Sequence, residues 1–388
     1  MTPSAQRSAS CPSLQSSARY DVAVIGGGLA GCAAAILLAE HGHSVALIEK
    51  GSFPRHKLCG EFLSPEVQAS FQSLGVLEDV KAAGAHEMDR ACITSPSGTT
   101  FRCDLPGTAI GLSRYVLDEM LFDRARLAGA DAVGGTRVTD VSGSLDDGFR
   151  VDTSNGSVQA RVVLGAYGKR STLDRKLNRP FLQKDSDLVA FKAHFLGPSV
   201  PKTIEIHAFP GGYCGVSHVE NDRVNVCWIG RTDSLQQDGG RPEAMMQASL
   251  RQNPLLDDRL AGAERVTDSF YAVSQVSLDP KSAFANDICM IGDTAGMIAP
   301  LCGDGMAMAL SSAELAAPFV DEVLRGERSV EGFRQGYSRA WNETFGRRMR
   351  LGRLAHAAAM RPSVAATVVG ALRLAPVAGR WLVRNTRG

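Results

Sequence analysis

A chain of 388 residues is too long for one small core, and 44% hydrophobic with 21% charged residues excludes a disordered or fibrous polypeptide. The formal net charge of +1 excludes a uniformly basic or acidic surface, but it hides an asymmetry. Thr344 to Gly388 holds nine arginines and no Asp, Glu or Lys, which leaves −8 on the rest of the chain. That tail implies either an anionic surface as its partner or a helix face packed back on the body; nucleic acid is not an expected partner.

Residues 1–19 carry six serines and two arginines with no apolar run, and read as a disordered leader. Asp21 to Ile25 then reads as a short buried strand, Gly26-Gly27-Gly28-Leu29-Ala30-Gly31 follows at once, and Cys32 to His41 has helical spacing. Val45 to Ile48 is a second apolar strand ending at Glu49, 23 positions after Gly26. This strand–GxGxxG–helix–strand–acid order is that of a dinucleotide-binding unit. Gly26 permits the tight turn, Gly28 lets backbone approach a pyrophosphate, and Gly31 lets the helix lie close on the sheet. Leu29 and Ala30 open a helix whose free N–H groups receive phosphates. Glu49, with Lys50 beside it, is placed to accept from ribose hydroxyls.

Gly51 to Pro65 is a loop, GSFPRHKLCGEFLSP, before a helix near Glu66–Leu74. Short strands near Ala91–Thr94 and Thr99–Cys103 form a small β insertion around 88–110. Ser113 caps a helix from Arg114 or Tyr115 to Ala128. A small antiparallel meander leads to the buried strand Arg161–Gly165. From Asp187 to about Leu278 the pattern becomes one of antiparallel strands with a helix near Pro242–Gln252, and the apolar strand Asp287–Ile291 then resumes the first pattern. The residues from Glu331 on are helical. No run reaches the roughly 18 uninterrupted apolar residues of a membrane span; Ser363 to Ala378 is broken by Arg373 and Pro376. Nine cysteines without a CxxC pair predict reduced thiols, a cytoplasmic setting and no metal site.

Three glycine motifs in fixed order, GGGLAG (26–31), GAYGKRSTLDR (165–175) and GDTAGMIAPLCGDG (292–305), together resemble the p-hydroxybenzoate hydroxylase superfamily. The resemblance implies an α/β fold: a Rossmann-like FAD-binding domain of the glutathione-reductase type, an inserted antiparallel-sheet substrate domain and a C-terminal helical tail. The expected boundaries are 20–186 and 281–330 for the FAD-binding domain, 187–280 for the inserted domain and 331–388 for the basic helical region. FAD is the implied cofactor and NAD(P)H the implied reductant. Asp293 corresponds to the ribityl-binding acid, with Gly292 before it. Pro300, Gly303, Asp304, Gly305 and Met306 form the turn and helix start facing the flavin ring, and Arg114 opens the second flavin-contacting helix. Tyr167 stands where the family carries an acid.

Pro54 to Pro65 resembles the PR–K–CG loop of geranylgeranyl reductases and, more loosely, a loop of flavin-dependent halogenases. Cys59 in that loop is the candidate proton donor, and the halogenases' WxWxIP motif is absent. His194, His207, Tyr213 and His218, on strands of the inserted sheet, are candidate substrate contacts. The reading favours NAD(P)H-dependent hydroxylation of a lipophilic or aromatic small molecule; the alternative is reduction of a C=C bond in a prenyl or polyene chain. A lipophilic substrate would suit peripheral contact of the basic tail with an anionic membrane.

Overall fold

A computed structural model describes residues 17–385; residues 1–16 of the expected leader lie outside it. Two sheets frame the molecule. The first runs Phe284–Ala285, Ile288–Met290, Gly156–Gly165, Arg19–Ile25, Val45–Ile48, Asp131–Val133. The inner pairs are parallel, with Val22 opposite Val45 and Val162. Strands buried on both faces read as continuous apolar runs, and Val45–Ile48 is buried at every position. Helices Leu29–Glu40, Arg114–Leu127 and Gly305–Leu324 pack with this sheet to form the main core. Ser113 caps the second of them through Oγ, which accepts from the Val116 N–H.

The second sheet runs Glu264–Arg265, Leu188–Leu196, Val224–Arg231, Gly212–His218, Thr203–Phe209, His86–Thr94, Thr100–Gly111, Phe62–Leu63. It differs from expectation in one important respect. The strands assigned to a separate small insertion extend the same sheet, through parallel pairing of His86–Thr94 with Thr203–Phe209. They are also longer than expected, and the second absorbs Pro106 and Gly107 in a register shift between the pairings of Met88 and Arg90. At the far end the strand pattern expected to run to about Leu278 is realised only as Tyr271–Ser274. The C-terminal region is three helices, Val330–Ala359, Pro362–Leu374 and Pro376–Asn385. The first packs on Gly305–Leu324, and the other two lie against Thr100–Gly111.

Two glycines show how tightly the first turn is built. Gly26 adopts φ +111°, and a Cβ on Gly31 would lie 1.8 Å from the Gly26 carbonyl oxygen. Gly346, inside Val330–Ala359, has open space around it. Gly31→Ala should therefore destabilise the protein by about 1–3 kcal/mol or more, whereas Gly346→Ala should stabilise it by up to about 1 kcal/mol. Urea denaturation midpoints check both; a Gly31→Ala protein as stable as the parent would contradict the close helix–turn contact.

Candidate functional site

A cavity of about 510 Å³ opens between the two sheets, and all three glycine motifs reach its wall. Gly26, Gly28, Leu29, Ala30, Glu49 and Lys50 line it from the first motif, and Gly292, Asp293, Pro300, Gly303, Gly305 and Met306 from the third. Arg114 and Cys59 line it as well. The second motif contributes Ala166 to Ser171. It is tied to the third by the Gly168 N–H donating to Thr294 Oγ1 (2.8 Å) and by Arg179, which donates to Asp174 (3.2 Å) and the Thr294 carbonyl (2.7 Å). Tyr167 donates to Asp174 Oδ1 at 3.2 Å, so the phenol sits in this tie.

One end of the cavity is cationic. The helix Leu29–Glu40 begins at Gly28 with no side-chain cap, so its first N–H groups are free for a ligand. A Cβ on Gly28 would still lie 3.6 Å from an Arg114 guanidinium nitrogen and 3.7 Å from Lys57 Nζ. The buried Asp118 carboxylate holds both cations, Lys57 at 2.5 Å and Arg114 at 2.6 and 2.9 Å. Burial alone would raise the Asp118 carboxyl, but Arg114 and Lys57 outweigh it and hold it below the ordinary carboxylate range. Two cations, one carboxylate and a positive helix end leave net attraction for an anion such as a diphosphate. Glu49 accepts from the Gly27 N–H (2.8 Å), the Gly51 N–H (2.9 Å) and Arg55 (2.6 Å). A carboxylate has about four acceptor sites, so capacity for roughly one further donor remains. The site therefore fits a dinucleotide: Gly28, Lys57 and Arg114 would hold its diphosphate, and Glu49 a ribose hydroxyl.

The other end is apolar, with Ala190, Ile204, Tyr213, Trp228, Ile229 and Met297 among its walls. Tyr213 is the one of the four proposed substrate contacts that reaches the cavity; its hydroxyl accepts from the Leu301 N–H at 3.2 Å and pairs with His356 Nδ1 at 3.2 Å. The three histidines do not line it. His207 is buried between Thr94 (2.8 Å) and Glu205 (3.2 Å). His218 accepts from the Val200 N–H at 3.2 Å and stacks by His86. His194 is fully buried on Glu61. The register puts His194 on the same face of the sheet as Tyr213, with His207 and His218 on the opposite face, and each meets other protein groups.

Asp304 and Gly31 also stand off the cavity wall. Asp304 is fully buried near Ser64 and Arg348 at 3.5 and 3.4 Å, and burial, reinforced by Glu66, pushes its carboxyl well above the usual range. Gly31 faces the Gly26 carbonyl instead.

The residues that sequence reasoning missed centre on Glu61. Its carboxylate takes the Lys192 ammonium, His194 Nε2 at 2.6 Å and the Arg114 backbone N–H at 2.8 Å. Glu61 and Lys192 are both 0% exposed. Burial would raise the Glu61 carboxyl, but Lys192 and His194 outweigh it and hold it below the ordinary range. His56 lies 5.2 Å from His194, ring to ring, and burial together with Lys192 pushes its imidazole down to about 4. His56, Glu61 and His194 bring ligand-type atoms within 4.8 Å of one another, yet Lys192 already balances the carboxylate, so the group is an ion cluster. The readable signals were a lysine and a histidine in the otherwise apolar strand LVAFKAHFL and an Asp four residues after Arg114.

Cys59 lies two residues before Glu61. Its thiol accepts from the Glu61 N–H at 3.4 Å and is engaged by the Arg114 guanidinium, while Asn225 donates to the Cys59 and Gly60 carbonyls at 3.2 and 2.8 Å.

The FAD binding domain family model matches residues 19–340. The chain belongs to that family. The membership agrees with the p-hydroxybenzoate hydroxylase-type resemblance of the three motifs. This FAD binding domain protein is 29% identical over 347 residues to a menaquinone reductase of Mycolicibacterium smegmatis, covering 83% of this chain and 79% of the relative. It is 27% identical over 345 residues to digeranylgeranylglycerophospholipid reductase 2 of Methanopyrus kandleri, covering 84% and 83%. Among solved structures, the myxobacterial chondrochloren halogenase CndH aligns with a TM-score of 0.79 at 22% identity, over 94% of this chain and 90% of that one. PqsL of Pseudomonas aeruginosa, a probable FAD-dependent monooxygenase, aligns at 0.74 and 19%, over 90% and 99%. At these identities the two structures establish the shared fold.

Glu61→Gln leaves Lys192 buried without its counter-charge and should cost about 3–5 kcal/mol at neutral pH. Because the folded carboxyl is depressed, its contribution is present above the ordinary carboxylate pKa and lost as pH falls through the folded value. The difference between parent and variant in urea unfolding should thus hold from pH 7 down to 4.5 and shrink as pH falls further. Adding Lys192→Met should recover part of the loss; no recovery would mean that the pair is not the source.

Proposed function

We propose that this FAD-dependent oxidoreductase reduces a carbon–carbon double bond in a lipophilic, isoprenoid-like substrate, with NAD(P)H as the reductant. The observation that carries the reading is the Cys59 thiol on the wall of a cavity whose far end is apolar, with the Arg114 guanidinium beside it. Saturating a double bond adds a hydride to one carbon and a proton to the other. Bound FAD, once reduced, supplies hydride chemistry. The chain's own residues then orient the alkene on the apolar wall and hold the proton at Cys59 Sγ. After the thiol gives up its proton, Arg114 stabilises the thiolate that remains. The Glu61 N–H donates to the sulfur and Asn225 donates to the Cys59 and Gly60 carbonyls, so the sulfur keeps its position through the cycle. The names of the two reductase relatives support the same direction.

Oxygen insertion, the reading the motifs alone favoured, needs walls that exclude water but no acidic group at this place. The apolar wall supports it too, and one experiment separates the two.

In anaerobic deuterated buffer with NAD(P)H and a menaquinone or a digeranylgeranylglycerophospholipid, the product should be the saturated chain carrying one solvent deuterium per double bond. Cys59→Ala should lower turnover by about 10²–10⁴-fold, the usual worth of a positioned acid, with flavin absorbance unchanged. A product that forms only with oxygen, and carries an atom of it, overturns the proposal.

A further inference from the structure

We propose that the two C-terminal helices form a docking face for an anionic lipid bilayer. Pro362–Leu374 and Pro376–Asn385 meet at a corner that turns its large apolar side chains outward: Leu374 is 88% exposed, Val377 71% and Trp381 51%. Val377 and Trp381 are four residues apart and share one helix face with Arg384. Arg373 and Arg380 flank the corner, Arg361 opens the preceding helix, and all are exposed. The Arg347 guanidinium lies over the Trp381 ring at 5.9 Å.

Two properties select the occupant. An apolar patch rimmed by charge marks a binding surface, and here the charge has one sign. Among the described residues, none of Arg361, Arg373, Arg380 and Arg384 forms an ion pair, and Thr344 to Gly388 contains no carboxylate side chain. Aromatic and aliphatic tips among arginines suit the interface of a bilayer with negative headgroups, where the tips enter the acyl boundary and the guanidiniums meet phosphate. A second copy of this chain would bring a second cationic face against the first. No described helix is long and apolar enough to cross a membrane, so the contact is peripheral.

The position of the face gives it a use. Its inner side is anchored to the second sheet: Val383 packs in a cluster with Phe62 and Ile204, both of which also line the cavity. Only that layer separates the exposed corner from the substrate wall, so a docked molecule would hold its apolar pocket next to the lipid. Docking is independent of the proposed reaction and is measured without turnover, so the failure of either leaves the other standing.

The test uses the full chain with vesicles of phosphatidylcholine alone or with roughly one third phosphatidylglycerol. Trp228 and Trp341 are buried, so an emission blue shift on binding reports Trp381. The protein should co-sediment with the anionic vesicles only, less so at high salt, and the blue shift should vanish in Trp381→Phe. Replacing Arg373, Arg380 and Arg384 with Gln should weaken binding about a hundredfold, at roughly fivefold for each arginine. Leu374→Ser with Val377→Ser should weaken it as well, and flavin content should be unchanged in all variants. Absence of anionic-vesicle binding, or binding that these variants leave intact, overturns the proposal. So does a self-association in sedimentation velocity that the same variants abolish, which would assign the face to a second copy.

Discussion

The cavity depends on one buried carboxylate. Glu61 adopts φ 52°, an uncommon conformation for a residue with a Cβ, and sits where loop, helix and second sheet meet. Taking a carboxylate and an ammonium out of water costs several kcal/mol each, and only good geometry with further donors repays it. Here Lys192 and His194 come from the second sheet and the Arg114 N–H from the start of a helix on the first. Glu61 is therefore a tie between the two halves, and loss of any donor would leave charge stranded. The same loop is held at its other end by Arg55 on Glu49. Lys57 and Cys59 lie between those two anchors, so their side chains enter the cavity from a backbone fixed on both sides.

A second carboxylate sets the charge at the anionic end. Lys57 and Arg114 side by side would repel one another and pull the loop from the helix. Asp118, fully buried beneath both, removes that repulsion and orients the guanidinium through two bonds. The surplus positive charge, added to the uncapped helix at Gly28, remains for the ligand. The cations are thus oriented by the protein's own groups, and orientation of this kind reduces the ordering cost of binding.

How much of this the sequence revealed follows from the range of each interaction. The Gly26 to Gly31 turn and Glu49 were legible because their roles are local: backbone sterics at one turn and an acid at the end of the next strand. The Ser113 cap was legible for the same reason. Glu61 was not, because its partners Lys192 and His194 are 131 and 133 positions away and only strand pairing brings them back. His194, His207 and His218 illustrate the converse error. Residue alternation puts neighbouring side chains on opposite faces, but burial and pairing decide what each meets, and these three meet Glu61, Glu205 and a backbone amide. The strands at 86–111 joined the second sheet against expectation because a parallel partner at 203–209 leaves no local turn signal. Asp304 looked like a cofactor ligand by motif position, while packing turned it inward.

Two thiols reach the cavity, and their surroundings separate them. Cys227 is half of a strand pair in the second sheet, and burial pushes its thiol up to about 12, with Cys59 adding to the rise and Lys169 and Lys192 too weak to reverse it. Its neighbour across the strand pair is Lys192, whose charge is already committed to Glu61. Cys59 has the Arg114 guanidinium beside it and the Glu61 N–H donating to its sulfur. Of the two thiols, Cys59 is the one with donors directed at its sulfur. Arg114 then has two duties, since the cation that would meet a diphosphate also steadies the sulfur. Asp118 allows it both, by holding the guanidinium in one orientation that faces each of them.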